Sequence, residues 1–379
     1  MRSQVVIGGA LAHKPGYGGH TWALLQYALG FRALGWDVLL LDHINASRCL
    51  DASGAPCAPR DSVNVRCTFE ALTAFGLADR YAVAVDGDWI GLSRTAVAEA
   101  IAQSTFVLNI MGFLPHELLA PAQLRVFLDI DPGFGQMWKA LGLHDAFAHH
   151  DRYVTIGERI GQDDCEIPTC GHEWITTPQP IALEYWPDTT GGNGTFSSVA
   201  SWRGAYDPIE YRGKRYGLRA HEFRKFADLP RRSGGSFELA LDIHAAETAD
   251  LDRLAAGGWT LLNPAQVAGD PWRYRDFIQA SGAEFMVAKN MYVEARSGWL
   301  SDRSLCYMAS GKPVLAQDTG WTEQYPSAFG LVAFSTPEEA EAGVSRIRGE
   351  YARHARAARN LAEEHFDSNK VLSRLLARL

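Results

Sequence analysis

Between Arg296 and Trp321 the sequence RSGWLSDRSLCYMASGKPVLAQDTGW gathers polar side chains at two loops and apolar ones between them. Ser297, Gly298, Ser301 and Ser304 crowd the first loop, with Asp302 and Arg303 among them. Small residues let a ligand approach the backbone, and a helix beginning here presents free N–H groups that favour phosphate. Arg303 adds a guanidinium fork that fits two phosphate oxygens; its other reading is a surface pair with Asp302 or Glu294. Asp318, Thr319 and Gly320 follow a short apolar run that reads as a buried strand, at the strand end where open α/β sheets hold ligands. A short acid there can accept two hydroxyl hydrogen bonds, Gly320 lets the backbone come close, and Trp321 offers a ring for stacking or for filling a hinge.

Proton transfer needs a group that is neutral at physiological pH. His20 ends the loop HKPGYGGH and starts a helix, whose N-terminus lowers a histidine pKa. His13, in the same loop, is second choice. Asp129 and Asp131 in LDIDPGFG could orient His20, act as base, or cap the turn through Pro132 and Gly133. Lys289 and Arg203 follow strands and supply cations, or are solvated side chains; His244 follows the strand ELALDI. Trp22 and Phe134, with Trp89, Phe113 and Trp138, could wall a pocket or pack a core. Cys165, Cys170 and His172 lack a fourth ligand, so no metal site is expected.

The elements that must position these groups alternate. Gln4–Gly9, a glycine-rich loop, a helix over residues 21–34 and a strand over 37–41 form the opening of a doubly wound sheet. Helical and strand-like segments continue to about residue 156; prolines 168, 178, 180 and 187 and the run Thr189–Gly194 then break the pattern. A second series runs from residue 197 to 333, and the chain is helical from Pro337 onward with a break near residues 365–368. The expected division is 1–180, a linker over 181–197, a second domain over 198–347 and closing helices over 348–379. The loop lacks the G-x-G-x-x-G spacing of a dinucleotide site. With 379 residues, 47% hydrophobic and 21% charged, the chain is long enough for two cores. A net charge of −8 and short basic clusters, at residues 212–219 and 231–232, read as solvated faces and argue against nucleic-acid binding. Six cysteines without framework spacing and no membrane-length apolar run point to the cytoplasm, as monomer or homodimer.

Three stretches together resemble GT-B glycosyltransferases: PGYGGH leading to ALGFRALGWDVLLLD, the segment CYMASGKPVLAQDTG, and the tail ARAARNLAEEHFDSNKVLSRLL. The longer EFMVAKNMYVEARSGWLSDRSLCYMASGKPVLAQDTGW is similar to sequences of bacterial natural-product type. The resemblance implies two Rossmann-like domains facing a cleft, with C-terminal helices crossing back to the first. It implies a sugar nucleotide held by the second domain through Arg203, His244, Lys289, Ser297, Gly298, Ser301–Ser304, Asp318, Gly320 and Trp321. A small-molecule acceptor would lie on the first, near His13, Gly18, Gly19, Trp22 and Phe134, with His20 as base and Asp131 beside it. No cofactor is implied beyond the nucleoside-diphosphate sugar as co-substrate. The paired glutamates of retaining members, and the histidine and glutamate common in inverting natural-product members, fall here on Gly298 and Cys306. Inverting, metal-independent transfer is the expectation; retaining transfer, epimerisation or a silent sugar-nucleotide-binding subunit are the alternatives.

Overall fold

The computed structural model describes residues 3–189, 191–204, 206–325 and 327–379; Thr190, in the expected linker, lies outside the described residues. The first sheet has eight strands: β1 (Gln4–Gly9), β2 (Asp37–Ile44), β3 (Tyr81–Val85), β4 (Asp88–Gly91), β5 (Phe106–Ile110), β6 (Arg125–Asp129), β7 (Arg152–Thr155) and β8 (Trp174–Thr176). Their order is β4-β3-β2-β1-β5-β6-β7-β8, and only β4 runs antiparallel to its neighbour. Order reverses between β1 and β5, and in such sheets the crevice outside the strand ends at that point takes the ligand. β8 lies in the proline-rich stretch that reads as connector in the sequence: three residues suffice to pair with β7.

The second domain carries β9 (Phe196–Ser201), a hairpin of β10 (Ile209–Tyr211) and β11 (Lys214–Tyr216), then β12 (Phe237–Asp242), β13 (Thr260–Leu262), β14 (Ala283–Met286), β15 (Val314–Gln317) and β16 (Leu331–Phe334). Six of these form a parallel sheet in the order β13-β12-β9-β14-β15-β16. The sheet residues Leu239, Phe285 and Leu315 are fully buried under helices, as expected of a parallel sheet covered on both faces.

The chain's last helices return to the first domain. Helix Ser368–Leu376 packs on helix Gly18–Ala33, where a Cβ at Gly30 would lie 2.6 Å from Leu372 Cδ1. Ser368 Cβ would lie 2.8 Å away as well, so a side chain at residue 30 would force one helix to shift. Ile181 and Asp367 form a parallel bridge at the same seam. No helix among the described residues is long and apolar enough to cross a membrane.

Candidate functional site

The carboxyl ends of the two sheets face one another across a cleft. The first domain contributes the loop over residues 13–17 and the opening turn of helix Gly18–Ala33; the second contributes the ends of β9 and β12 and the start of helix Asp302–Ala309. Gly18 is one point where the domains touch: its N–H donates to the Ala268 carbonyl (2.9 Å), and a Cβ would lie 2.1 Å from the Asp270 carbonyl. Gly19 is similarly pressed on the Tyr274 ring. A cavity of about 640 Å³ has Gly18, Gly19 and His20 on one wall and Arg219, Asp302 and Arg303 on the other. A second, of about 610 Å³, shares Tyr17, His20, Ser201 and Asp242 with it and runs on to His13, Arg203 and His244. His20 thus stands where the two meet.

Arg303 is buried through the register of its helix. Ser301 caps the helix by accepting from the Arg303 N–H (3.2 Å). The guanidinium then donates to Glu284 Oε1 at 2.6 Å and to the Val199 carbonyl at 2.7 Å. Burial is the largest effect and opposes its charge, but Glu284 together with Tyr274, Tyr307 and Asp302 more than offsets it, and the arginine pKa rises. The surface pairing with Asp302 or Glu294 is not formed.

Arg219, the first residue of helix Arg219–Phe223, is the neighbour that sequence reasoning missed. Its Nε donates to the Val287 carbonyl (3.1 Å) and Nη1 to the Ser201 carbonyl (3.4 Å), and among the described residues it has no carboxylate partner. Burial and adjacent Arg303 bring its pKa down to about 10, so it remains a cation at neutral pH. The basic run over residues 212–219 reads as one solvated face, but β10 and β11 fold it into a hairpin, and Gly217 and Leu218 then turn Arg219 inward. The one sequence signal was its place at a helix start following a strand and a glycine. The wall thus offers two guanidinium groups, one unpaired, beside a helix N-terminus: an arrangement suited to a diphosphate.

His20 Nε2 lies 2.7 Å from the Ala10 carbonyl. A carbonyl only accepts, so that nitrogen carries the hydrogen and Nδ1 keeps its lone pair. Burial, then the Lys14 charge, lower its pKa to about 4. Asp131 is not its partner. Lys289 donates to both Asp131 oxygens, at 2.8 and 2.6 Å, and the Tyr292 hydroxyl also donates to this carboxylate. The acid expected beside His20 instead joins the two domains, because Lys289 follows β14 and precedes helix Asn290–Glu294 directly across the cleft. Asp129 is buried, accepts from Gln136 (2.6 Å) and Thr155 (2.9 Å), and is pushed up to about 6 by that burial.

The remaining expected residues divide between cleft and core. Arg203 and His244 are exposed in the second cavity; Arg203 is paired with Glu247, and His244 Nδ1 accepts from the Ala246 N–H (3.1 Å). His13 Nε2 donates to the His43 carbonyl (2.8 Å). Ser297 accepts from the Trp299 N–H (3.2 Å) and its carbonyl takes the Arg159 N–H (3.1 Å). A Cβ on Gly298 or Gly320 would fall 2.7 or 2.6 Å from the Arg159 side chain, so both glycines seat a first-domain arginine. Ser304 is fully buried. Asp318 accepts from the Gly320 N–H (2.8 Å) and Thr322 Oγ1 (3.0 Å), which spends it on the turn. Trp321 is wholly buried with its indole N–H on the Gln317 carbonyl (2.9 Å), and offers no stacking face. Trp22 donates to the Pro271 carbonyl (2.8 Å), and it and Phe134 are each 1% exposed: both are core aromatics, with Lys289 over the Phe134 ring.

No family model and no curated protein sequence matches the chain. Solved structures do. An alpha-glucosyltransferase in complex with UDP-glucose and DNA containing an abasic site superimposes with a TM-score of 0.59 at 12% identity, covering 100% of this chain and 99% of that one. AviGT4, a glycosyltransferase involved in avilamycin A biosynthesis, gives 0.55 at 15% identity, covering 99% and 96%. Sucrose-phosphate synthase from Thermosynechococcus elongatus gives 0.53 at 10% identity, covering 100% and 99%. Likeness over whole chains at such low identity establishes the fold: two facing parallel-sheet domains of the GT-B kind.

Proposed function

We propose that the chain is a glycosyltransferase that moves a sugar from a nucleoside diphosphate to a hydroxyl or amine of a small natural-product acceptor, with inversion and without a metal. The observation that carries this is Arg219, a half-buried cation without a carboxylate partner, set beside Arg303 in a cleft of the GT-B fold. An unpaired charge in such a wall asks for an anion, and the leaving diphosphate needs positive charge where its own develops. The two arginines supply charge that a divalent cation could otherwise bring. In the transfer, the acceptor O–H gives its proton to His20 Nδ1, its oxygen bonds to the anomeric carbon, and the carbon–oxygen bond to the diphosphate breaks toward Arg219 and Arg303.

A solved neighbour is described with DNA, but the net charge of −8 here supports a small acceptor over a polyanion. Incubation with UDP-, GDP- and TDP-sugars and a natural-product panel, with the anomeric configuration of the product read from proton NMR couplings, tests the reading. An inverted product supports it. A retained configuration removes the His20 mechanism, and no turnover or donor hydrolysis with any sugar nucleotide removes the enzyme.

A further inference from the structure

We propose that Asp242 holds the ribose hydroxyls of the donor, so that the site takes sugars carried on a ribonucleoside diphosphate and discriminates against 2′-deoxy carriers. This rests on the donor reading above. Asp242 is the last residue of β12 and lies in register with Ser201, the last residue of β9. Neighbouring strands run about 4.8 Å apart, and Arg219 Nη1 donates to the Ser201 carbonyl. A diphosphate on Arg219 therefore leaves its ribose at the end of the next strand, where a carboxylate can accept from two vicinal hydroxyls, as acids at strand ends do in other sheets of this type.

The Asp242 carboxylate is free to do so. It is exposed and lines both cavities. Oδ2 accepts only long hydrogen bonds, from the Tyr17 hydroxyl at 3.3 Å and Ser201 Oγ at 3.4 Å. Among the described residues Oδ1 has no donor and no lysine or arginine pairs with the group. Cys306, where relatives place a glutamate, is buried and lines neither cavity. Tyr17 reaches Asp242 from the first domain, so a bound ribose replaces a weak cross-domain contact with stronger ones.

Calorimetric titration of the full chain with UDP and GDP, their 2′-deoxy counterparts and inorganic pyrophosphate tests this, in wild type and in Asp242→Ala. The wild type binds the better ribonucleotide about tenfold or more tightly than its 2′-deoxy form, the worth of one hydrogen bond to a charged group. Asp242→Ala brings the two together while pyrophosphate binding stays as it was. Equal affinity for the two forms in wild type, or an unchanged ratio in the variant, overturns the ribose assignment alone. Absence of binding by every nucleotide and by pyrophosphate overturns the donor reading and this proposal with it.

Discussion

Lys289 donates to both carboxylate oxygens of Asp131, at 2.8 and 2.6 Å, across the cleft between the two domains. Both side chains are about one-fifth exposed, at 19% and 23%, so the pair is only partly screened. Asp131→Asn leaves the ammonium with a poorer partner and should destabilise the protein by about 1–3 kcal/mol, with an increase in radius of gyration by small-angle scattering as the domains part. An unchanged melting temperature and radius would show that the contact does not hold the cleft together.

Arg303 is bound to buried Glu284, whose second oxygen has no partner. Removing the cation alone strands a buried carboxylate, so Arg303→Met should cost about 3–5 kcal/mol in urea unfolding. Adding Glu284→Gln should recover most of that. If the double variant is as unstable as the single one, the loss is one of packing and not of charge.

The His20 pKa of about 4 has a definite consequence. In the free enzyme the base is neutral above about pH 4, so kcat/KM should fall on acidification only through that range. A bound diphosphate brings negative charge near the imidazole and raises its pKa, so the acid limb of kcat should lie higher. His20→Gln should abolish both limbs along with at least about 100-fold of the rate, a usual share for a general base. Rates that keep the same acid limb in His20→Gln assign the proton to another group.

Glu158 joins the first domain to the second through Tyr325, whose hydroxyl donates to Oε1 at 2.7 Å. Burial pushes its pKa from the ordinary 4.5 up to about 7. Between those values the folded protein holds a proton that the unfolded chain has released, so its contribution to stability is full below about pH 4.5 and is lost as pH rises to about 7. His20 acts with the opposite sign: its folded pKa is depressed, so stability falls as pH drops from about 6.5 toward 4. Melting temperatures across this range should slope less steeply downward with rising pH in Glu158→Gln than in wild type. Parallel curves would contradict the assignment.

Much of this architecture is written in local pattern. Gln4–Gly9, the following helix and the later α/β alternation follow from hydrophobic periodicity and glycine stops, which short-range physics decides. The tail's return to the first domain also follows from its length, although Gly30, the residue that admits Leu372, shows its purpose only in three dimensions. The site was less legible. Arg219 and Arg303 differ little as sequence neighbours of acids, yet one is paired and one is not, because the hairpin β10–β11 and the strand bearing Glu284 come together from distant parts of the chain. Trp321 and Asp318 have the residue types of a sugar site, but the turn they form consumes the acid and buries the ring. Asp131 needed its partner 158 positions away to be understood.

Calorimetric titration of UDP and GDP into wild type, Arg219→Lys and Arg219→Ala tests the donor reading most directly. Wild type should bind at least one of the two. Arg219→Ala should weaken that binding by about 2 kcal/mol, roughly 30-fold, with Arg219→Lys between them. Because the unpaired cation costs the free protein stability, Arg219→Ala should also melt no lower, and preferably higher, than wild type. Undiminished nucleotide affinity in a folded Arg219→Ala protein would contradict the account.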